Sequence, residues 1–310
     1  MAFTAADVKK LREQTSVGMM DCKKALQEAD GDFDKAVELL REKGLAKAAK
    51  KAGRIAAEGV VCASVCADCG VGAIIEVNSE TDFVAKNADF QKFVSDLAGI
   101  VMKDAPVDVD ALKACKLGDL TVEGALQEKV LTIGENIQIR RFDRYDDSTV
   151  NVSYTHMGGV IGVLVGLTVS DNLKGNETVL QLGKDIGMQA AAMRPAYMDK
   201  SEVSEEVLAK EREILMAQAI EENKTAKKPK PEQILAKMVE GRVGKYYEEN
   251  CLLQQAFVKE NKVSVEEHIK AVAKELGGEI KLSKFTRFEK GEGIEKKVDD
   301  FAAEVASMAK

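Results

Sequence analysis

The chain has 310 residues, a formal net charge of −7, and a hydrophobic share of 45%. This length allows two or more domains with a substantial core. The negative charge and the absence of tryptophan argue against broad phosphate contacts and stacked bases, so no direct nucleic-acid partner is expected. The amino terminus has no basic start followed by an apolar stretch. The longest apolar run, residues 157–169, is too short to cross a bilayer, which takes about 20 residues. A cytoplasmic chain without membrane contact is expected.

Residues 1–45 are predicted to form three short helices. Thr4 and Asp7 have the spacing of an N-terminal capping box. Apolar residues then recur at helical spacing in two further segments, and Gly44 is expected to end the third helix. This pattern favours a bundle of ubiquitin-associated type, followed by a basic linker in residues 46–55.

The middle of the chain contains a weak internal repeat. Residues 72–78 are similar to residues 162–168, and each run is followed by a polar loop, an amphipathic helix and a break that contains proline. Another strand precedes each run. We therefore predict two related α+β subdomains with antiparallel sheets, the first in residues 56–142 and the second in residues 143–200 together with 248–288.

The rest of the chain is predicted to be largely helical. Residues 201–247 hold two amphipathic segments around a polar break with two prolines, which predicts an antiparallel helical hairpin projecting from the second subdomain. Residues 289–310 are predicted to be a C-terminal module with a short amphipathic helix at 298–308. The predicted fold class is α+β.

Three of the six cysteines have the Cys-x3-Cys-x2-Cys spacing of an iron–sulfur site, namely Cys62, Cys66 and Cys69. The alternative is a β-hairpin with strands at residues 60–66 and 71–77, in which small thiols fill space. We favour the hairpin, because the succession of strands that such a redox enzyme requires does not follow in the sequence.

No catalytic set is visible in the sequence. The two histidines, His156 and His268, lie far apart and have no accompanying Ser, Cys or Asp motif. No Gly-x4-Gly-Lys-Ser/Thr phosphate loop is present. The chain is therefore expected to be neither an enzyme nor the carrier of a cofactor.

Residues 78–87 form the most informative segment. They connect a strand-like run to a helix-like run, and such connections run over the surface. The segment places Asp82 beside Phe83, and a presented aromatic side chain can anchor a partner's pocket. The alternative is that Phe83 folds back under its own loop.

Thr81-Asp82-Phe83-Val84 resembles the tip motif of elongation factor Ts, a family of bacterial translation factors. Five further segments resemble the same family in the same order. The resemblance therefore covers essentially the whole chain, through residues 11–26, 133–137, 153–156, 237–242 and 291–296.

The resemblance implies a guanine-nucleotide exchange factor that binds elongation factor Tu, both GDP-bound and nucleotide-free, and expels GDP. Thr81, Asp82, Phe83 and Val84 would dislodge the support of the partner's Mg²⁺. The other implied partner contacts are Arg12, Met19, Met20, Asp21, Cys22, Lys23, Ile133, Gly134, His156 and Val258. An apolar residue often follows this last contact in the family, whereas this chain has Lys259. A ubiquitin-associated adaptor, suggested by the first module, is the alternative function.

Overall fold

The computed structural model describes residues 3–15, 17–225 and 229–295, and for residues 45–50 the backbone only. The fold is α+β, as predicted. Two three-stranded antiparallel sheets are flanked by helices, which include two of 17 residues each, Ala88–Asp104 and Glu177–Met193. A pair of long helices follows the second of these in the chain. No helix in these ranges is both long enough and apolar enough to cross a membrane.

The chain begins with three helices, continues with mixed strands and helices, and has two long helices before its last strands. The helices are α1 (Ala5–Thr15), α2 (Met19–Glu28), α3 (Phe33–Lys51), α4 (Asp82–Ala85), α5 (Ala88–Asp104), α6 (Val109–Ala114), α7 (Val122–Ile133), α8 (Glu177–Met193), α9 (Glu205–Lys224), α10 (Glu232–Asn250) and α11 (Val265–Glu275). The strands are β1 (Glu58–Val65), β2 (Gly72–Ser79), β3 (Lys116–Leu117), β4 (Leu120–Thr121), β5 (Gln138–Tyr145), β6 (Val150–His156), β7 (Ile161–Val169), β8 (Ala256–Phe257), β9 (Glu260–Ser264) and β10 (Ile280–Glu289).

The amino-terminal helices α1 to α3 share one small core. The predicted capping box is present, because the Thr4 N–H donates to Asp7 Oδ2 (2.8 Å) and the Asp7 N–H donates to Thr4 Oγ1 (3.3 Å). Leu11, Cys22 and Leu26 are fully buried in this core. The likeness to a ubiquitin-associated bundle stays a prediction.

The prediction that Gly44 ends the third helix is wrong. Helix α3 continues through Gly44 to Lys51, so the segment predicted as a linker begins as helix. A Cβ atom on Gly44 would lie 3.2 Å from Leu131 Cδ2 of α7. The glycine therefore permits the close approach of α3 to α7. This packing outweighs the destabilisation of the helix by glycine, which is about 1 kcal/mol relative to alanine.

The two sheets have the same plan, which supports the internal repeat. In the first sheet the order is β1-β2-β5, and in the second it is β6-β7-β10, with all pairs antiparallel. The central strands β2 and β7 are buried at all or nearly all positions, because the sheets also pack on each other. Helices α5 and α8 each cover one sheet with their apolar side.

The ends of α5 and α8 repeat the same chemistry. Asn87 and Asn176 cap the amino ends by accepting two backbone N–H groups each. Ala105 (φ 48) and Arg194 (φ 49) end the helices in the left-handed conformation, and a proline follows each. Because proline disfavours the right-handed helical conformation in the residue before it, both helices stop at the same point of the repeat.

A buried carboxylate joins the two halves of the core. Glu76 of β2 is fully buried and is paired with Arg140 (2.9 Å) and Arg141 (2.6 Å) of β5. It also accepts a hydrogen bond from the Gly291 N–H (2.7 Å), just after β10. A buried charge needs such partners, so the segment after β10 is fixed against the first sheet.

The helices α9 and α10 form the predicted antiparallel hairpin. Arg212 pairs with Glu240 at 3.1 Å, and the Lys230 N–H donates to Asn223 Oδ1 at 2.7 Å beside the turn. Helix α10 runs to Asn250, beyond the predicted end at residue 247. The predicted helix at residues 298–308 lies outside the described residues.

Candidate functional site: a presented tip loop

The tip loop, residues 79–87, projects between the central strand β2 and the helix α5. Thr81 caps the short helix α4 by accepting the Val84 N–H. Val84 points into the first core and is 7% exposed, whereas its neighbour Phe83 is 81% exposed. The Phe83 side chain is therefore exposed on the surface, as predicted, and does not fold back under its own loop.

The second copy of the repeat shows that this exposure is not a requirement of the fold. There the equivalent loop is one residue shorter between Gly162 and Asn176, and it forms a 3-10 turn that ends at Leu173. Leu173 is 2% exposed. One buried apolar residue thus suffices to anchor this loop, and the first copy already has Val84. Phe83 is an additional apolar residue with no packing role of its own.

The tip loop is held from the side by Glu135, which follows α7. Its Oε2 accepts the backbone N–H groups of Glu80 (3.1 Å) and Thr81 (3.0 Å), and its Oε1 accepts the Thr81 hydroxyl (2.6 Å). In return, Glu80 Oε1 accepts the Asn136 N–H (2.6 Å). We call this pair of glutamates and their bonds the clasp. Charge-assisted bonds of this kind are about twice as strong as neutral ones, so the clasp fixes the direction in which Phe83 points.

Neither glutamate of the clasp was among the predicted site residues. Glu135 lies in a segment that carries the family resemblance, residues 133–137, and Glu80 directly precedes the tip motif at residues 81–84. A signal was therefore present, but the bond between Glu135 and Thr81, which are 54 residues apart in the chain, is not visible in the local sequence.

Asp82 lies beside Phe83 at the start of α4. Its carboxylate is paired with Lys86 one helical turn later, at 2.6 Å. The Lys86 hydrogen bond holds the pKa of Asp82 below its ordinary value, and the nearby charge of Lys290 acts in the same direction. The tip therefore presents an ionised carboxylate next to an aromatic ring.

The predicted contacts of the amino-terminal helices fall into two groups. Met19, Met20, Arg12 and Lys23 are exposed, and Asp21 is half-buried. Cys22 is fully buried, and burial raises the pKa of its thiol. A partner contact through the Cys22 side chain is therefore a wrong expectation, and we assign it to the core of the bundle.

Ile133 and Gly134 lie next to the clasp. Ile133 is the last residue of α7, and Gly134 caps that helix with φ 88. Ile133 is half-buried against the first core, and the Gly134 carbonyl accepts a hydrogen bond from Lys51 Nζ. Only part of the Ile133 side chain remains available to a partner.

His156 ends β6 and is exposed. Its ring stacks on Tyr154, and the Tyr154 hydroxyl lies 3.1 Å from His156 Nδ1. The turn that follows places Met157 in the left-handed conformation with an exposed side chain, a neighbour that the sequence did not single out. The Gly159 carbonyl of this turn accepts the Val61 N–H at 2.8 Å, which fixes the turn on β1.

Val258 lies between β8 and β9. The preceding Phe257 is buried and stacks on His268, with ring centroids 4.1 Å apart. Val258 is exposed, and its N–H donates to Gln189 Oε1 at 2.7 Å. Lys259 is paired with Asp185 at 2.7 Å. Val258 is therefore apolar and accessible, and the ion pair borders it.

The three clustered cysteines belong to the predicted hairpin, which the pairing of β1 with β2 confirms. Cys62 packs partly against the first core, while Cys66 and Cys69 lie at the turn. Within the described ranges, no group of three or more Cys, His, Asp or Glu side chains is arranged to hold a metal ion.

Comparison with known proteins gives a consistent assignment. The sequence model of the family described as "Elongation factor TS" matches residues 80–292. Proteins named elongation factor Ts are similar over nearly the full length of both chains. They include those of Syntrophotalea carbinolica (48% identity, 100% of each chain), Clostridium perfringens strain SM101 (48%, 99% of each) and Nitratiruptor sp. (46%, 100% of each).

These matches define the chain as a translation elongation factor. More specifically, it belongs to the elongation factor Ts family.

Proposed function

We propose that this chain is a guanine-nucleotide exchange factor for elongation factor Tu in the cytoplasm. It would bind the GDP-bound and the nucleotide-free partner and promote release of GDP. One observation carries the proposal beyond family membership: Phe83 is 81% exposed on a loop that is capped, anchored by Val84 and held by the clasp. A rigid loop can deliver an aromatic side chain into a partner with little loss of conformational entropy.

At the tip, Phe83 acts as the wedge and Asp82 as its charged neighbour. They enter the nucleotide-binding domain of the partner near the bound Mg²⁺ and displace groups that support the ion. Without that support, phosphate charge that the metal had neutralised is exposed, and the affinity for GDP falls. Thr81 and Val84 shape the loop, since one caps α4 and the other is buried.

The remaining contacts hold the partner in place. The amino-terminal helices contribute Arg12, Met19, Met20, Asp21 and Lys23. Ile133 and Gly134 contact the partner beside the tip. His156, with Tyr154 stacked against it, and Val258 serve other parts of the partner's surface.

Exchange is a coupling between two binding events and needs no covalent step or cofactor. The factor binds the nucleotide-free partner more tightly than the GDP-bound partner, so GDP must weaken binding of the factor by the same ratio. The chain then accelerates release without acting as an enzyme on a substrate of its own.

The test is release of labelled GDP from purified elongation factor Tu in the presence of excess unlabelled nucleotide. The wild-type chain should accelerate release, and Phe83→Ala should lose most of that acceleration. Val107→Ala is a matched control, because Val107 is 89% exposed in another loop of the same subdomain. Failure of the wild-type chain to accelerate release would overturn the proposal.

A deletion separates this proposal from an adaptor function. Removing residues 1–45 should weaken binding to elongation factor Tu under either hypothesis. A dependence of GDP release on Phe83 is expected only for an exchange factor. Loss of partner binding on this deletion together with full activity of Phe83→Ala would favour the adaptor.

A further inference from the structure

The turn that joins β1 to β2 brings two thiols together. The sequence of this turn is Cys66-Ala67-Asp68-Cys69, and the Gly70 N–H donates to the Cys66 carbonyl at 3.0 Å, which closes one helix-like turn. Side chains three residues apart in such a turn have Cβ atoms about 5–6 Å apart. The Cys69 N–H also donates to Cys66 Sγ at 3.3 Å.

The surroundings of Cys66 stabilise its thiolate. The side chain of Cys69 donates a hydrogen bond that lowers the pKa of Cys66, and the backbone N–H groups of Cys69 and Asp68 act in the same direction. The other cysteines with a shifted pKa show the opposite behaviour. Burial raises the pKa of the thiols of Cys22, Cys62, Cys115 and Cys251.

Both cysteines of the turn are at least partly exposed to solvent. Cys69 is exposed and Cys66 is half-buried, and the space beside Gly70 is open. Cys62 is not an alternative partner for Cys66, because four residues of strand separate their Cα atoms by about 13 Å. A disulfide requires Cα atoms within about 7 Å.

We propose that Cys66 and Cys69 form a redox-active dithiol that closes to an intramolecular disulfide by exchange with a low-molecular-weight disulfide such as oxidised glutathione. The Cys66 thiolate attacks one sulfur of the small disulfide, forms a mixed disulfide and releases one small thiolate. Cys69 then loses its proton and attacks the Cys66 sulfur, which releases the second small thiolate. Two protein thiols are oxidised and one small disulfide is reduced to two thiols.

This site is independent of the proposed exchange function. The turn lies at the start of β2 and the tip loop at its end, so the eight-residue strand separates them by about 26 Å. On its other side the turn is fixed to the second subdomain, because Asn151 Nδ2 donates to the Gly70 carbonyl at 2.9 Å.

The experiment uses the full chain without other proteins. Wild type, Cys62→Ser and Cys69→Ser are equilibrated without oxygen in glutathione buffers with a rising share of oxidised glutathione. Samples are quenched with acid, alkylated under denaturing conditions and digested, and fragmentation mass spectrometry locates each modification. Far-UV circular dichroism and protection of Cys22 and Cys251 from native-state alkylation verify that each variant is folded.

In wild type and Cys62→Ser, we expect Cys66 and Cys69 to lose alkylation together, with loss of two hydrogens and without a lasting glutathione adduct. In Cys69→Ser, the adduct on Cys66 should accumulate, because the resolving thiol is absent. Three results would overturn the proposal: alkylation of both thiols in all buffers, an adduct on wild-type Cys66 that persists as in Cys69→Ser, or a disulfide that includes Cys62.

Discussion

The carboxylate of Glu135 accepts hydrogen bonds from both the backbone N–H (3.0 Å) and the hydroxyl (2.6 Å) of Thr81. Thr81 caps α4, so Glu135, two residues after the end of α7, sets the orientation of the loop that presents Phe83. The surface around Ile133 and Gly134 is thereby connected to the tip through a side chain that need not contact the partner itself.

We predict that Glu135→Ala weakens exchange although Glu135 is not proposed to contact the nucleotide site. The change leaves two backbone N–H groups and one hydroxyl without their acceptor, and bonds to a charged group contribute about 1.5–3 kcal/mol each when fully formed and shielded. We expect GDP release to slow on the order of tenfold. Glu128→Ala on the exposed side of α7 is the control.

Two measurements distinguish positioning of the tip from general destabilisation by this change. Binding of the nucleotide-free partner should fall less than the rate of GDP release, because the amino-terminal grip is intact. Glu135→Gln keeps one acceptor oxygen and should lie between wild type and Glu135→Ala. Equal loss of binding and release in Glu135→Ala would contradict a role in orienting the tip.

Asp82→Ala should slow GDP release less than Phe83→Ala does, if the aromatic ring does most of the displacement. Folding stability should hardly change, since the Asp82–Lys86 pair is on the surface. The pKa of Asp82 is lowered in the folded chain. Its small contribution to stability is therefore present above the unfolded-state pKa and lost as the pH falls through the folded-state pKa. Near neutral pH, an assay of wild type against Asp82→Ala therefore compares a chain with an ionised carboxylate at this position and a chain without one. A larger effect than that of Phe83→Ala would reverse the assigned roles.

Replacing Cys62 by Ala together with Cys66 and Cys69 by Ser should leave exchange intact. These thiols lie in the hairpin away from the tip, and only Cys62 packs against the core. We expect a stability loss of about 1 kcal/mol, typical of a single substitution. Thermal melting and GDP release measure the two effects. A variant that is folded but inactive in exchange would show that the hairpin turn takes part in the function.

Deleting residues 201–247 should leave both sheets folded. The distal part of the hairpin buries its own apolar residues, Ala219, Leu235 and Val239, against one another. The chain ends flanking the deletion stay close together, because the Leu253 N–H donates to the Met198 carbonyl at 3.0 Å. A short glycine-rich link can therefore join them. Loss of a cooperative melting transition would instead make the hairpin part of the core.

The regular elements could be predicted because their apolar residues recur at helical or strand spacing. The helices α5 and α8 and the hairpin α9–α10 follow this rule. The strand β2 is buried at every position, and its signal in the sequence is a short apolar run. Glycine was less informative from sequence alone. Gly44 permits close packing inside a helix, where the sequence indicated a helix end.

Long-range partnerships could not be predicted from local patterns. Glu76 is a charged residue in the middle of an apolar strand, and its burial depends on Arg140, Arg141 and the distant Gly291. The same limit applies to the clasp. The helical spacing of Cys22 indicated a position in the core, whereas the family resemblance implied a contact with the partner. Cys22 is fully buried, so the spacing was the better guide.

The rate of GDP release from elongation factor Tu with Phe83→Ala tests the central claim most directly. The account predicts an unchanged melting temperature, whereas truncation of a buried Phe would cost about 3–5 kcal/mol. It predicts release slowed on the order of tenfold or more, as for an interface hot spot, with a smaller loss of binding. Chelation of Mg²⁺ should largely remove the difference from wild type, since the ion is then already gone. A Phe83→Ala chain that releases GDP at the wild-type rate, or that melts much earlier, would contradict the account.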